Sequence, residues 1–154
     1  MTALEKFCAA LRGAGVRYAV VGGYAVALHG AVRGTVDLDV VLKWNLQSLR
    51  GAERALKGLG LVSRLPVSAD DVFNFRDEYV ARRNLIAWNF YNPRDLSEQV
   101  DIIINYDLSG KRTRRMDLAG GPIQVLSLPD LIAMKRNSGR PQDLEDVAAL
   151  EKLA

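Results

Sequence analysis

The sequence predicts a single α/β domain over residues 1–154, on three observations. Its 154 residues come close to the ~150 of an average domain, so two separate cores are not expected. Apolar residues make up 49% and charged residues 25%, the balance of an ordinary globular chain rather than of a disordered or fibrous one. Short β-branched runs are interleaved with stretches of helical spacing, in an order too irregular for a simple doubly wound sheet.

Leu4, Phe7, Cys8 and Leu11 recur at helical spacing, Thr2 and Glu5 have the form of a capping box, and Gly13 or Gly15 ends this first helix. Arg17 to Val21 reads as a short buried strand that stops at Gly22-Gly23, and Tyr24 to His29 as a helical piece closed by Gly30. Val36 to Leu42 alternates acid and aliphatic residues before turning wholly apolar, as in a strand that enters the core from an exposed, acid-bearing end. Leu46, Leu49, Ala52, Leu56 and Leu59 mark a second long helix, stopped by Gly58 and Gly60. Helix is expected over Ser68–Arg83, then strands over Leu85–Tyr91 and Gln99–Asn105, with Asn92-Pro93-Arg94-Asp95 turning between them. Lys111 to Arg115 reads as a basic loop, after which Met116–Leu118 and Pro122–Val125 form a hairpin about Gly120-Gly121. Ser127 and Asp130 open a helix through Leu131, Ile132 and Met134. A break at Ser138-Gly139-Arg140-Pro141 precedes a last helix with Leu144, Val147, Ala148 and Leu150.

The 21 basic and 18 acidic residues leave a formal charge of +3, which permits a polyanionic partner without demanding one. The longest uncharged stretch, Tyr18 to Val32, is broken by glycines and His29 and is shorter than the ~20 apolar residues of a membrane helix, so no membrane partner is expected. Glu5 and Lys6 stand where a secretory signal needs an apolar run, and Cys8 has no second cysteine to pair with; both fit a cytoplasmic protein. Cys8 and the single histidine, His29, read as packed residues, since a zinc site needs further His or Cys ligands.

The chemistry is concentrated in Gly22-Gly23, Asp37, Asp39 and Asp101. Strand residues two apart share a face, so Asp37 and Asp39 present like charges about 7 Å apart at the backbone. That repulsion is relieved by a divalent cation, by protonation, or by pairing with Arg33; the bland alternative is a solvated strand end. Asp101, a single acid near the start of an apolar strand, would complete a three-carboxylate cluster if that strand lies alongside. Such oxygen ligands suit Mg²⁺ or Mn²⁺. Gly22 and Gly23, between a strand and a helix, either let backbone N–H groups approach an anion or simply make a tight turn.

These residues resemble the minimal nucleotidyltransferases of the DNA polymerase β superfamily, in particular small toxin-antitoxin and abortive-infection (AbiEii-like) members. The likeness rests on Gly22-Gly23, on Arg33-Gly34-Thr35-Val36-Asp37-Leu38-Asp39, on Asp101 alone in a later strand, and on the distal series Lys135, Arg140, Asp143 and Asp146. It implies a nucleotidyltransferase fold, a small mixed β-sheet flanked by helices. It further implies metal-dependent transfer of a nucleoside monophosphate from an NTP to a hydroxyl of RNA or protein, and an antitoxin as a partner. In that scheme Asp37, Asp39 and Asp101 are catalytic and hold Mg²⁺ or Mn²⁺, while Gly22, Gly23, Arg33, Thr35 and Lys135 bind the nucleotide. Lys135 read without the resemblance is an exposed helix lysine, and Asp143 and Asp146 are a solvated or Arg140-paired face. The chain departs from the family where many members place a phosphate-binding Ser after the first glycine; here Gly23 and Tyr24 follow Gly22.

Two other readings compete. One is a noncatalytic nucleotide- or partner-binding module of the same fold. The other is a dinucleotide-binding domain, but Gly22-Gly23-Tyr24-Ala25-Val26 does not fit Gly-x-Gly-x-x-Gly and repeated βαβ units are absent.

Overall fold

A computed structural model describes residues 2–30 and 37–154. Thr2 Oγ1 accepts the Glu5 backbone N–H and so starts α1 (Ala3–Gly13), whose Leu4, Phe7, Cys8 and Leu11 stripe is buried. The chain continues through β1 (Tyr18–Val21), α2 (Gly22–Leu28), β2 (Leu38–Leu42), α3 (Leu46–Gly58), β3 (Val62–Ser63), α4 (Ala69–Asn74) and α5 (Arg76–Arg83). It ends with β4 (Ala87–Asn92), β5 (Asp95–Ile103), β6 (Thr113–Leu118), β7 (Gly121–Leu126), α6 (Leu128–Ser138) and α7 (Pro141–Glu151). The strands form one mixed seven-stranded sheet in the order β3-β4-β5-β2-β1-β7-β6.

Pairing is parallel between β2 and β5 and between β1 and β7, and antiparallel elsewhere. The β2–β5 register sets Leu38 beside Val100, Asp39 beside Asp101 and Val40 beside Ile102. Because strand side chains alternate, Leu38, Val40, Val100, Ile102, Trp88 and Phe90 fall on one face. They join Leu11, Leu49 and Leu56 in a continuous core. Trp88 and Phe90 meet in a tilted pair with ring centroids 4.6 Å apart, and the Trp88 indole N–H donates to Ser63 Oγ at 2.9 Å. The opposite face carries Asp39, Asp101 and Asn89, each half-buried.

Several elements differ from the sequence expectation. The helix expected over Ser68–Arg83 is two helices that meet at Phe75: Ser68 and Asp71 close a capping box on α4, and α5, with no fully buried residue, ends at Asn84 in the left-handed region (φ 51°). β5 begins at Asp95, ahead of the expected Gln99, since the tight turn keeps Asn92 paired with Asp95 across a register shift. The basic run is not a loop throughout: Thr113, Arg114 and Arg115 pair with Leu126, Val125 and Gln124, which makes them part of the outermost strand. Cys8 is fully buried, and burial pushes its thiol up to about 11. His29 closes α2, with Nε2 2.8 Å from the Leu126 carbonyl. No described helix is long and apolar enough to cross a membrane.

Candidate active site

Asp39 sits at the start of β2, next to Val21 of β1 on one side and Asp101 of β5 on the other. Val21 is the last residue of β1, and the chain leaves it through Gly22 with φ +69°. A side chain at Gly22 would collide with Asp39 Oδ2, so glycine answers both a left-handed backbone and a carboxylate lying against its Cα. Burial raises the Asp39 carboxyl above its usual range, the charges of Asp101 and Asp37 push it further, and a hydrogen bond with Asp101 adds to this; together they bring it to about 7 against the pull of Lys135. Asp101 Oδ1 also accepts from Asn89 Nδ2 at 2.8 Å.

Gly22 and Asp39 border a cleft of about 250 Å³ between the sheet and α6. Gly22 and Asp39 form one end, Lys135, Arg140 and Asp143 one wall, and Ile103, Tyr106 and Met134 an apolar stretch. Lys135 is buried, and its Nζ donates to Asp146 Oδ2 at 2.9 Å and Asp143 Oδ1 at 3.4 Å. Arg140 Nε donates to Asp143 Oδ2 at 2.8 Å, and Gln142 Nε2 to Asp146 Oδ1 at 3.0 Å. Burial pushes the Asp143 carboxyl up, but hydrogen bonds from Arg140 and Ser138 and the charges of Arg140 and Lys135 outweigh it and hold the group at about 2.

Solved structures match this architecture over nearly the whole chain. The solution structure of the antibiotic-resistance factor ANT(2'')-Ia superposes with a TM-score of 0.59 at 13% identity, over 96% of this chain and 80% of the other. A crystal structure of the same factor with adenylyl-2''-tobramycin gives 0.54 at 14% identity, over 97% and 90%. An antigenic nucleotidyltransferase-like protein from Paracoccidioides brasiliensis gives 0.56 at 18% identity, over 94% and 71%. The chain has a nucleotidyltransferase fold. No protein-family model matches the sequence, and comparison with curated proteins gives no match. At these identities the likeness is one of fold.

Within this nucleotidyltransferase fold, Gly22, Asp39 and Lys135 border one cleft, and Asp101 is in hydrogen-bond contact with Asp39. Asp37 is exposed just ahead of β2 and close enough to act on Asp39 through its charge. Gly23 is buried in the first turn of α2. Arg33 and Thr35 lie outside the described residues. Two sequence readings need correction: Lys135 is not an exposed helix lysine, and Asp143 and Asp146 are not a solvated face. Asp143 does pair with Arg140, but α7 packs on α6 and turns both acids inward, where Lys135 balances them.

Among the described residues no group of three or more His, Cys, Asp or Glu side chains is arranged as a cage for a metal ion. Mg²⁺ does not require one, since it is usually held through one or two carboxylates together with waters and substrate phosphates. Asp39 and Asp101, neighbours across β2 and β5, have the oxygen donor chemistry such a hard cation takes, and burial and the nearby acids make the charge on Asp39 costly without one. Sequence reasoning missed Asn89, which donates to Asp101 from β4, and Arg64, which donates to Asn89. Their link to Asp101 is set by strand register, and no spacing in the sequence announces it.

Proposed function

We propose that the chain transfers a nucleoside monophosphate from an NTP to an acceptor hydroxyl and releases pyrophosphate. The observation that carries this reading is the pairing of Asp39 beside Asp101 in the β2–β5 register, with Asp39 and Gly22 lining one cleft, on a nucleotidyltransferase fold. Asp37, Asp39 and Asp101 would hold Mg²⁺ or Mn²⁺, which when bound neutralises triphosphate charge and stabilises the oxygens of an in-line displacement. The Gly22-Gly23 turn lets the triphosphate approach the main chain closely. Lys135 contributes a positive charge from the wall, and the motif resemblance assigns Arg33 and Thr35 to nucleotide binding.

The acceptor oxygen attacks the α-phosphorus as the bond to the β-phosphate oxygen breaks. Pyrophosphate leaves with that electron pair, and Asp101 takes the hydroxyl proton. RNA and protein hydroxyls are the acceptors that the sequence resemblance brings, together with an antitoxin partner and a cytoplasmic setting. The neighbour captured with adenylyl-2''-tobramycin adds a small polyhydroxylated acceptor to that range.

The test is incubation of the purified chain with each α-³²P-labelled NTP and Mg²⁺, against RNA, protein and aminoglycoside acceptors, with pyrophosphate measured in parallel. Label transfer with stoichiometric pyrophosphate, lost in Asp39→Ala and Asp101→Ala, is expected. Tight calorimetric binding of NTP with no pyrophosphate from any acceptor would instead establish the noncatalytic module.

A further inference from the structure

We infer that Asn89 and Arg64 are positioning residues that fix the orientation of the Asp101 carboxylate beside Asp39, an inference that rests on the transfer reading above. Asn89 stands directly across from Asp101 in the β4–β5 register, on the same face of the sheet. Its Nδ2 donates to Asp101 Oδ1 at 2.8 Å, and its Oδ1 accepts from Arg64 Nε at 2.9 Å. Of the two ends of the Asn89 amide only the oxygen can accept from the Arg64 guanidinium, which leaves the NH₂ facing the acid.

Arg64 is itself tied down from three directions. Its backbone N–H donates to the Asn89 carbonyl at 2.9 Å, its Nη2 reaches Gln99 Oε1 at 3.3 Å, and its guanidinium lies 4.5 Å from the centre of the Tyr91 ring. The result is a directed chain in which a fixed cation polarises an amide that donates to a carboxylate. Asp101 stands beside Asp39 in the β2–β5 register, and the Asn89 amide fixes the orientation of its carboxylate there.

Packing does not account for these residue types. Asn is disfavoured in strands, and Asn89 is half-buried on the face opposite the core, where an apolar or β-branched residue would serve a sheet better. An outer-shell partner that orients a reacting ligand is typically worth about 10–100-fold in activity.

Two readouts test this. Asn89→Leu, which keeps the volume and removes the amide, is expected to lower kcat by about 30-fold with the KM for NTP within about twofold and an unchanged melting temperature; Arg64→Met should do the same more weakly, and Arg64→Lys should restore part of the loss. In ¹⁵N–¹H spectra the Asn89 side-chain amide, assigned by its disappearance in Asn89→Leu, should shift in both Asp101→Asn and Arg64→Met but not in the remote Lys111→Met. A parent enzyme that turns over, paired with an Asn89→Leu variant within twofold of it, overturns the positioning role. An amide unmoved by either partner substitution overturns the chain whether or not the protein is active. A parent that releases no pyrophosphate sinks the transfer reading instead, while the spectra still decide the chain.

Discussion

The Cα of Gly22 is the surface against which Asp39 Oδ2 rests. A methyl group there meets the carboxylate, and the φ of +69° adds the strain of a left-handed backbone, about 1–2 kcal/mol for a non-glycine residue. Gly22→Ala is therefore expected to lower stability by at least about 2 kcal/mol in urea denaturation and to push Asp39 away from Asp101. Transfer activity should fall more than tenfold. Gly58→Ala, at a position with nothing within 4 Å of an added Cβ, is the control and should retain both.

Asp39 is costly to the fold when no cation is bound. Its folded carboxyl lies near 7, above the 3.8 of the free group, so the native state holds a proton that the unfolded state releases between those values. The sign is then fixed: stability declines as pH rises from about 4 to 7. Asp39→Asn removes the penalty. In chelator-containing buffer the variant should exceed the parent by roughly 2–4 kcal/mol at pH 8, with the gain vanishing by about pH 4. It should also be inactive in transfer. A variant less stable than the parent at pH 8 would mean that burial of the Asp39 charge and its repulsion by Asp101 and Asp37 do not dominate at this site.

Much of this arrangement could be read before any coordinates. The acid–aliphatic alternation ahead of Val40 and Val41 identified a strand with its acids at the mouth, and β2 runs there; the capping residues Thr2 and Ser127 located α1 and α6. These signals are local, and local chemistry fixes them. The split between α4 and α5 was not legible, because Phe75 leaves helical geometry with no glycine or proline to announce it. Nor could spacing show that Asp143 and Asp146 face Lys135 instead of water, since that depends on how α7 packs against α6. Asn89 illustrates the same limit: one residue of slip between β4 and β5 would turn it to the other face, and register is a property of the whole sheet.

The inward-facing acids make Asp143 a pH-dependent support. Its folded carboxyl is held at about 2, below the free value of 3.8, so the charged form is the one the fold favours. The stabilisation is fully present above about pH 4 and is lost as pH falls through about 2. It amounts to about 2 kcal/mol at neutral pH, from the difference between the two states. Asp143→Asn should therefore melt earlier than the parent at pH 7 and converge with it in strong acid. Equal melting curves at pH 7 would show that Arg140 and Lys135 stabilise this carboxylate no better than water does.

Lys135 pairs with two buried carboxylates, so removing it takes a positive charge from beside both. Breaking such a buried ion pair by deleting one partner typically costs about 3–5 kcal/mol, because the remaining charge loses its compensation while still desolvated. Lys135→Met keeps most of the side-chain volume, so its loss of stability should fall in that range and come from charge, not from a cavity. A second substitution separates the two causes. Neutralising Asp146 removes one of the two negative charges that Lys135 faces, so Lys135→Met/Asp146→Asn should recover part of the loss. Nucleotide transfer, in contrast, should stay low in both variants, since the double substitution restores charge balance without returning a cation to the cleft wall. Recovery of activity together with stability would place the role of Lys135 in holding α6 to α7 and not in meeting the triphosphate.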